Sequence, residues 1–393
     1  MKRIYADHSA TTKMSQEVFD EILPYLTEKY GNASSLYTEG NESAAAIERA
    51  REQVAKAINC EPREVFFTAG GTESDNWAIR GTAFANRKKG NHIITSKIEH
   101  HAVLHTVEYL EKRHGFEVTY LDVDEDGIVD LRQLEDSITD QTILITIMAA
   151  NNEIGTIQPI EQIGEIAKAH NIPFHTDAVQ AIGQVPIDVK KMNISMLSMS
   201  GHKIYGPKGI GVLYVKRGTK LDNFMLGGAQ EHGRRAGTEN VPGIVGLGKA
   251  ITIAVQNMEE NNQHLIAMRD RLINEIEEKI PYVKVNGHRT QRLPNNVNVC
   301  FRFIEGEGLL LHLDLRGISA SSGSACTSGS LDPSHVLLAI GLPHEIAHGS
   351  LRLSLGLDNT MEDVDYIVKN LIEIVALLRN MSPLYEKFVK EGK

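Results

Sequence analysis

Short apolar or β-branched runs alternate with amphipathic stretches through the first two-thirds of this 393-residue chain. The runs that we interpret as strands are residues 64–68, 92–95, 117–121, 142–148, 173–176, 195–199 and 210–215, and the helical stretches between them include 74–86, 101–113 and 160–170. This alternation predicts an α/β fold in which helices cover both faces of a mostly parallel sheet. Ligands of such sheets bind at the carboxyl ends of the strands, where we expect the functional residues.

The pattern changes in the last third of the chain. One long helical stretch is predicted from about residue 245 to 278, with Pro242 and Gly243 near its start. It is followed by a strand at 297–303, a helix at 307–315, a strand at 350–355 and a helix at 361–379. This order of elements predicts a second, smaller α+β domain.

Composition excludes several classes of partner. The chain has 41 basic and 51 acidic residues, a formal charge of −10, so it lacks the cationic surface that nucleic acids and anionic membranes require. Its longest apolar run, residues 143–150, has the length of a strand and not of a membrane span. The N-terminus has no apolar signal region, and the cysteines Cys60, Cys300 and Cys326 are too few and too far apart for a disulfide framework. We therefore expect a cytoplasmic protein.

Two short motifs resemble metal sites. Residues 344–348 match H-E-x-x-H, but Pro343 and Gly349 leave room for barely more than one helical turn, too little to project both imidazoles from one face. The acidic segment that starts at Asp122 has Gln133 where a calcium-binding EF-hand loop needs a bidentate Glu. We expect neither motif to bind a metal.

Three features in chain order carry a more specific signal. A glycine-containing turn, residues 69–74, lies between a strand and a helix, where backbone N–H groups bind anions. Asp177 ends a strand and is either a helix N-cap or the counter-ion of a protonated ring nitrogen. Lys203 follows another strand beside a glycine and is either an exposed lysine or a Schiff-base lysine. Together the three features describe a pyridoxal 5'-phosphate site.

Ordered motifs along the whole chain resemble those of a known family. They are residues 5–12, 71–76, 99–100, 151–155, 177–180, 200–209, 235–240, 321–328 and 350–354. By these motifs the chain resembles the NifS/IscS-type cysteine desulfurases, class V aminotransferase-like enzymes of the aspartate aminotransferase fold (fold type I). The resemblance implies a large domain, 14–258, with a mixed, mostly parallel seven-stranded sheet. It also implies a smaller α+β domain, 1–13 plus 259–393, which carries the Cys326 loop and Arg352.

The resemblance implies a role for each residue around the cofactor ring. Lys203 would bind pyridoxal 5'-phosphate covalently and then act as base at the substrate Cα. Asp177 would keep the pyridine nitrogen protonated, and Gln180 and Asn152 would bond the phenolic oxygen. His100 would stack on the ring and shuttle protons.

The family pattern also implies how the phosphate and the substrate are bound. The phosphate would be held by Gly71, Thr72, Ser200 and His202. Thr238 would complete that phosphate site from the other subunit, which implies a homodimer. Arg352 would clamp the substrate carboxylate, with Asn152 beside it.

Cys326 would be the nucleophile that takes the sulfur. It lies in a loop of small polar residues, whereas Cys300 lies in an alternating strand and Cys60 at the end of a helical stretch, where we interpret both as structural. The implied activity converts L-cysteine to L-alanine and leaves a persulfide on Cys326. The acceptor would be a NifU/IscU-like iron–sulfur scaffold, a tRNA-thiolation protein or a nitrogenase-specific partner. A selenocysteine lyase or another β-eliminating lyase of the same fold is the alternative.

Overall fold

The computed structural model describes residues 3–323 and 333–391. The strands are β1 (Ile4–Tyr5), β2 (Val65–Thr68), β3 (His92–Ser96), β4 (Glu117–Leu121), β5 (Thr142–Thr146), β6 (Phe174–Asp177), β7 (Met196–Ser200), β8 (Gly211–Val215), β9 (Val283–Val285), β10 (Asn296–Phe301), β11 (Ile318–Ser319) and β12 (Ser350–Ser354). The helices are α1 (Gln16–Thr27), α2 (Thr38–Ile58), α3 (Gly71–Asn86), α4 (His101–His114), α5 (Leu131–Asp136), α6 (Ile160–Ala169), α7 (Gln230–Gly233), α8 (Val241–Gln256), α9 (Met258–Lys279), α10 (Gly306–Leu315), α11 (His335–Ala339), α12 (His344–Ala347), α13 (Met361–Asn380) and α14 (Pro383–Lys390).

The central sheet has seven strands in the order β2-β8-β7-β6-β5-β3-β4. Strands β3 to β7 run parallel to one another, and β8 is antiparallel to both of its neighbours, so the predicted mixed, mostly parallel sheet is confirmed. Gly211 of β8 pairs with Thr68 at the end of β2 and with Ser200 at the end of β7. Because β2 and β7 end at the same edge, the loops that follow them meet there.

A second group of strands lies outside the central sheet. Strands β12, β10 and β9 form an antiparallel sheet, and β1 pairs in parallel with β11. Around these strands, Ile4 and Ala6 pack in one apolar cluster with side chains between Leu265 and Val375. This cluster is separate from the core that packs against the central sheet. The N-terminal residues therefore pack against the last third of the chain before they cross to the central sheet.

The prediction of one long helix between residues 245 and 278 was wrong. The structure has α8 and α9, which are separated at Asn257. Helix α8 is apolar and packs against α1 and α2 in the first core, whereas α9 buries one face in the second core. The break at Asn257 lets each helix pack against a different core. The spacing of apolar residues along the sequence does not reveal such a break. In the part of the chain described here, neither α9 nor any other helix is long and apolar enough to cross a membrane.

Candidate active site

The predicted site residues converge on one cavity of about 220 Å³ at the carboxyl edge of the central sheet. Those that line it are Gly71, Thr72, His100, Asn152, Asp177, Gln180, Ser200, His202, Lys203 and Arg352. Thr238 lies elsewhere and is exposed, and Cys326 lies outside the described residues. Lys203 also lines a larger cavity of about 440 Å³, but none of the other predicted site residues that the structure describes lines it.

One end of the cavity is built to bind an anion. Helix α3 begins at Gly71, three residues before the predicted start of the helix, so its first N–H groups face the cavity. A Cβ atom on Gly71 would lie 2.6 Å from Cγ2 of Val179, so only glycine allows this close approach. Ser200 and His202 line the same end, and the partial positive charge of the helix start favours a phosphate there.

The opposite end of the cavity carries a buried carboxylate. Asp177 ends β6, and its Oδ1 accepts a hydrogen bond from the Val179 N–H at 2.9 Å. No regular helix begins at this point, so Asp177 is not a helix N-cap. Burial raises the pKa of Asp177 to about 6, against the opposing effect of the Lys203 charge. A cationic partner in the cavity would keep this carboxylate ionised.

Lys203 lines the same cavity. It closes a single 3₁₀ turn, Gly201–Lys203, directly after β7. Its Nζ donates hydrogen bonds to the carbonyl oxygens of Ser9 and, at 2.8 Å, of Ala10. Gln180 Nε2 also donates to the Ser9 oxygen, at 2.9 Å. The N-terminal segment therefore orients the lysine and Gln180 from the side opposite the central sheet.

His100 covers the cavity as a neutral imidazole. It is the N-cap of α4, and its Nδ1 accepts a hydrogen bond from the Ala102 N–H at 3.1 Å. Burial, with the Lys203 charge as a second cause, lowers the pKa of His100 to about 4. Because Nδ1 is an acceptor, the proton of the neutral ring lies on Nε2. His100 can therefore donate a hydrogen bond from Nε2 to a group in the cavity.

Arg352 reaches the cavity from β12 and is 1% exposed. One of its terminal nitrogens donates to Asp7 Oδ1 at 2.8 Å, and the other donates to the Asn152 carbonyl oxygen at 3.0 Å. Asp7 is held in turn by the Ser321 hydroxyl at 2.8 Å. Sequence reasoning gave Asp7 no role, although Asp7 lies in the motif at residues 5–12. A buried arginine such as Arg352 needs an acidic partner, so an acid in a motif was a signal for this pair.

Two further buried acids were also missed. Asp75, one turn after Gly71 on α3, lines the cavity. Glu99 is fully buried below it and accepts hydrogen bonds from the Ser96 hydroxyl at 2.6 Å and from the Met148 N–H at 3.0 Å. Burial raises the pKa of Glu99 to about 8. Both residues belong to motifs quoted above, but only the fold shows that they lie beneath the cavity.

The two described cysteines lack the properties of a nucleophile. Cys300 is fully buried in β10, where its Sγ accepts from Asn286 Nδ2 at 3.1 Å, and burial raises its pKa to about 11. Cys60 is partly buried, and burial raises its pKa to about 12. Since the thiolate is the reactive form, both agree with a structural role.

Neither metal-like motif has the geometry of a metal site. Helix α12 has four residues, His344–Ala347, and His348 lies beyond its end. In the acidic segment Gln133 bonds back to Asp122, accepting from its N–H at 2.7 Å and donating to its Oδ2 at 3.1 Å. The preceding residues form β4, whereas an EF-hand needs a helix.

Metal analysis should therefore find no stoichiometric zinc or calcium in the purified protein. Chelation should leave the activity of the protein unchanged, because neither motif lines the cavity in which the predicted site residues meet. The measurement is elemental analysis before and after dialysis against a chelator. One tightly bound zinc per chain that is lost when His344 or His348 is replaced would contradict this prediction.

The cavity has the donor set that pyridoxal 5'-phosphate requires. The helix start at Gly71 fits the phosphate, Lys203 supplies an amine and Asp177 supplies a carboxylate for the ring nitrogen. The absence of a Cβ at Gly71 and the burial of Asp177 are both accounted for by such a ligand.

Comparison with known proteins gives the same result. The aminotransferase class-V family model matches residues 4–367. A protein named cysteine desulfurase IscS from Clostridium botulinum is 61% identical over 99% of this chain and 98% of its own length. One of the same name from Methanosarcina thermophila is 62% identical over 98% of this chain and 95% of its own length.

Solved structures agree with these relatives. A NifS-like protein superposes with a TM-score of 0.90 at 40% identity, covering 96% of this chain and 100% of the other. A structure of SspA in complex with cysteine superposes with a TM-score of 0.80 at 40% identity, covering 90% of this chain and 99% of the other. The chain therefore belongs to the aminotransferase class-V family and, within it, to the pyridoxal-phosphate-dependent cysteine desulfurases.

Proposed function

We propose that this protein converts L-cysteine to L-alanine and carries the sulfur as a persulfide on Cys326. The observation that supports this most strongly is the convergence of Lys203, Asp177, His100 and Arg352 on one cavity. Pyridoxal 5'-phosphate, when bound there, withdraws electrons from the substrate Cα. The residues of the chain then have to bind the substrate, move protons and accept sulfur.

The residues around the ring divide these tasks. Lys203 would hold the cofactor covalently and would then take the proton from the substrate Cα. Asp177 supplies the negative charge opposite the ring nitrogen. Gln180 and Asn152, which line the cavity, would bond the phenolic oxygen, and Gly71, Thr72, Ser200 and His202 would bind the phosphate.

Arg352 orients the substrate by its carboxylate. Asp7 and the Asn152 carbonyl hold the guanidinium in place, so little side-chain freedom is lost when the carboxylate binds. His100 presents its Nε2–H to the reacting groups. The Cys326 thiolate attacks the substrate sulfur; an S–S bond forms, the Cβ–S bond breaks, and its electron pair and a proton remain with the alanine.

Product analysis tests this function. The holoenzyme incubated with L-cysteine should form alanine and one protein persulfide in equal amounts in the first turnover. A β-eliminating lyase would form pyruvate and ammonia, and a selenocysteine lyase would form alanine only from L-selenocysteine. Either of those product patterns would replace our proposal.

The proposal includes an acceptor and a compartment. We infer that Cys326 passes sulfur to a NifU/IscU-like scaffold for iron–sulfur cluster assembly in the cytoplasm, with a tRNA-thiolation protein or a nitrogenase-specific partner as the alternatives. Names of the IscS relatives support this inference. Capture of persulfide acceptors on the sulfur-loaded enzyme identifies which of the three takes the sulfur.

The proposed division into domains 14–258 and 1–13 plus 259–393 has the support of two separate apolar cores. Ile4 and Ala6 belong to the second core with residues from 265 onwards. In this division Arg352 belongs to the smaller domain and Lys203 to the larger one.

We also propose a homodimer in which Thr238 completes the phosphate site of the partner. Two ion pairs anchor its segment: Glu231 binds Arg51 at 2.8 Å in a buried pair, and Arg235 binds Glu73 at 2.9 Å. Thr238 itself is exposed. An exposed hydroxyl in a segment that ion pairs hold in place suits a ligand in another subunit.

Thr238→Val should weaken cofactor binding at least about tenfold, since a hydrogen bond to a charged group contributes roughly 1.5–3 kcal/mol. The dissociation constant of the cofactor can be followed by its visible absorption. In mixed dimers with Lys203→Ala, the site with an intact lysine receives its threonine from the Lys203→Ala subunit and should regain normal affinity. A Thr238→Val homodimer with unchanged affinity would refute the shared site.

A further inference from the structure

A pair of buried carboxyl groups lines the cofactor cavity. Asp75 of α3 is 1% exposed and Asp177 of β6 is 6% exposed. One carboxyl oxygen from each of them and one ring nitrogen of His100 lie within 4.8 Å of one another. Two carboxylates this close, shielded from water, do not both keep a charge. The pair therefore holds one proton.

Asp177 is better placed to carry the charge. It accepts the Val179 N–H and is stabilised by the positive charge of Lys203. Asp75 Oδ1, in contrast, has no hydrogen-bond donor in the described part of the chain. The nearest ring nitrogen, His175 Nε2, is 3.7 Å away. Because full burial lowers the pKa of His175 to about 3, that ring is neutral and offers no charge to an ionised Asp75.

A chain of polar side chains fixes the position of Asp75. The Thr146 hydroxyl lies 2.8 Å from His175 Nδ1, and the Ser198 hydroxyl lies 2.9 Å from His175 Nε2. Ser198 also bonds the Asp75 carboxyl. These residues lie on the neighbouring strands β5, β6 and β7, so the sheet itself sets the orientation of the carboxyl group.

We propose that Asp75 is a positioning residue that acts as a neutral carboxylic acid and holds the proton of the pair, so that Asp177 keeps the single negative charge opposite the cofactor ring nitrogen. The proposal rests on the proposed role of Asp177 as counter-ion. It gives a function to a buried acid that otherwise would only destabilise the fold.

The surrounding charges agree with this assignment. Burial and the neighbouring Asp177 raise the pKa of Asp75 well above its usual range, and Glu99 acts in the same direction, against the opposing effect of the Ser198 hydrogen bond. The Lys203 charge lowers the pKa of Asp177, and the neutral His100, which lies within 4.8 Å of both carboxyl groups, adds no charge to either of them. No cation in the described residues is paired with Asp75.

Infrared spectroscopy of the holoenzyme tests the protonation state directly. At neutral pH, Asp75→Asn should remove one carbonyl stretch of a protonated carboxyl group. Glu99→Gln is the control and should remove a different one, because burial raises the pKa of Glu99 to about 8. If Asp75→Asn removes no such band, Asp75 is ionised and the proposal is wrong.

The visible absorption of the cofactor tests the positioning role. Asn resembles a neutral carboxylic acid, so Asp75→Asn should keep the absorption band and its pH titration. Asp75→Leu removes the polar contact and should shift that titration and raise the cofactor dissociation constant about tenfold. The proposal is overturned if Asp75→Asn shifts the titration as far as Asp75→Leu does. It is also overturned if Asp75→Leu changes neither the titration nor the dissociation constant of the cofactor.

These outcomes are separate from those of the proposed function. An unmodified enzyme that forms no alanine from L-cysteine but shows the Asp75 band would refute the function and leave the protonated acid in place. An enzyme that forms alanine without that band would refute only the role of Asp75.

Discussion

Replacement of Lys203 by alanine should abolish turnover of L-cysteine, with a loss of roughly 10⁴-fold or more, the upper range for the loss of a positioned acid–base group. Lys203 is the lysine that lines the cavity together with the anion-binding helix start and Asp177. Without it, no covalent bond to the cofactor forms and no base faces the substrate Cα. The first measurement is the rate of alanine formation from L-cysteine.

Covalent attachment provides the second measurement for this lysine. After reduction with borohydride, the unmodified protein should carry the mass of the cofactor on Lys203, and Lys203→Ala should carry none. Lys203→Arg keeps a positive charge near the Ser9 and Ala10 carbonyl oxygens but cannot form this bond, so it should be equally inactive. Lys216→Ala, at an exposed position, is the matched control. Near-normal activity in Lys203→Ala would remove the basis of the assignment.

Cys326→Ala should keep the cofactor and lose sulfur transfer. Binding of the cofactor and removal of the Cα proton need Lys203, Asp177 and His100 but no thiol, so the absorption spectrum and its change on addition of L-cysteine should persist. Transfer of sulfur should fall by roughly 10²-fold or more, since the nucleophile itself is missing. Mass spectrometry after incubation with L-cysteine should find no added sulfur on this variant.

The two other cysteines supply the controls for that experiment. Cys60 and Cys300 have pKa values raised by burial to about 12 and about 11, so at neutral pH both are thiols and poor nucleophiles. Cys60→Ala and Cys300→Ala should keep the persulfide on Cys326 and cost only stability, of the order of 1 kcal/mol. A persulfide on Cys60 or Cys300, or undiminished sulfur delivery by Cys326→Ala, would show that Cys326 is not the nucleophile.

The local pattern of apolar and polar residues was sufficient to predict the main strands and most helices. The seven predicted runs of the central sheet all form strands there, because an apolar β-branched run between helices has no other way to bury its side chains. The pattern did not show that α3 begins at Gly71 or that a break at Asn257 separates α8 from α9. These boundaries depend on what each helix packs against, which is information outside its own segment.

The sequence by itself was enough to predict which residues meet at the candidate site. Gly71, Asp177 and Lys203 follow strands whose carboxyl ends share one edge, so a parallel sheet necessarily brings them together. Only the tertiary structure decided how their charges are balanced. The pairing of Arg352 with Asp7, and the closeness of Asp75 to Asp177, join residues far apart in the chain. The cost of burying a charge depends on all neighbours in space, so the charge state of each buried acid is a property of the folded molecule.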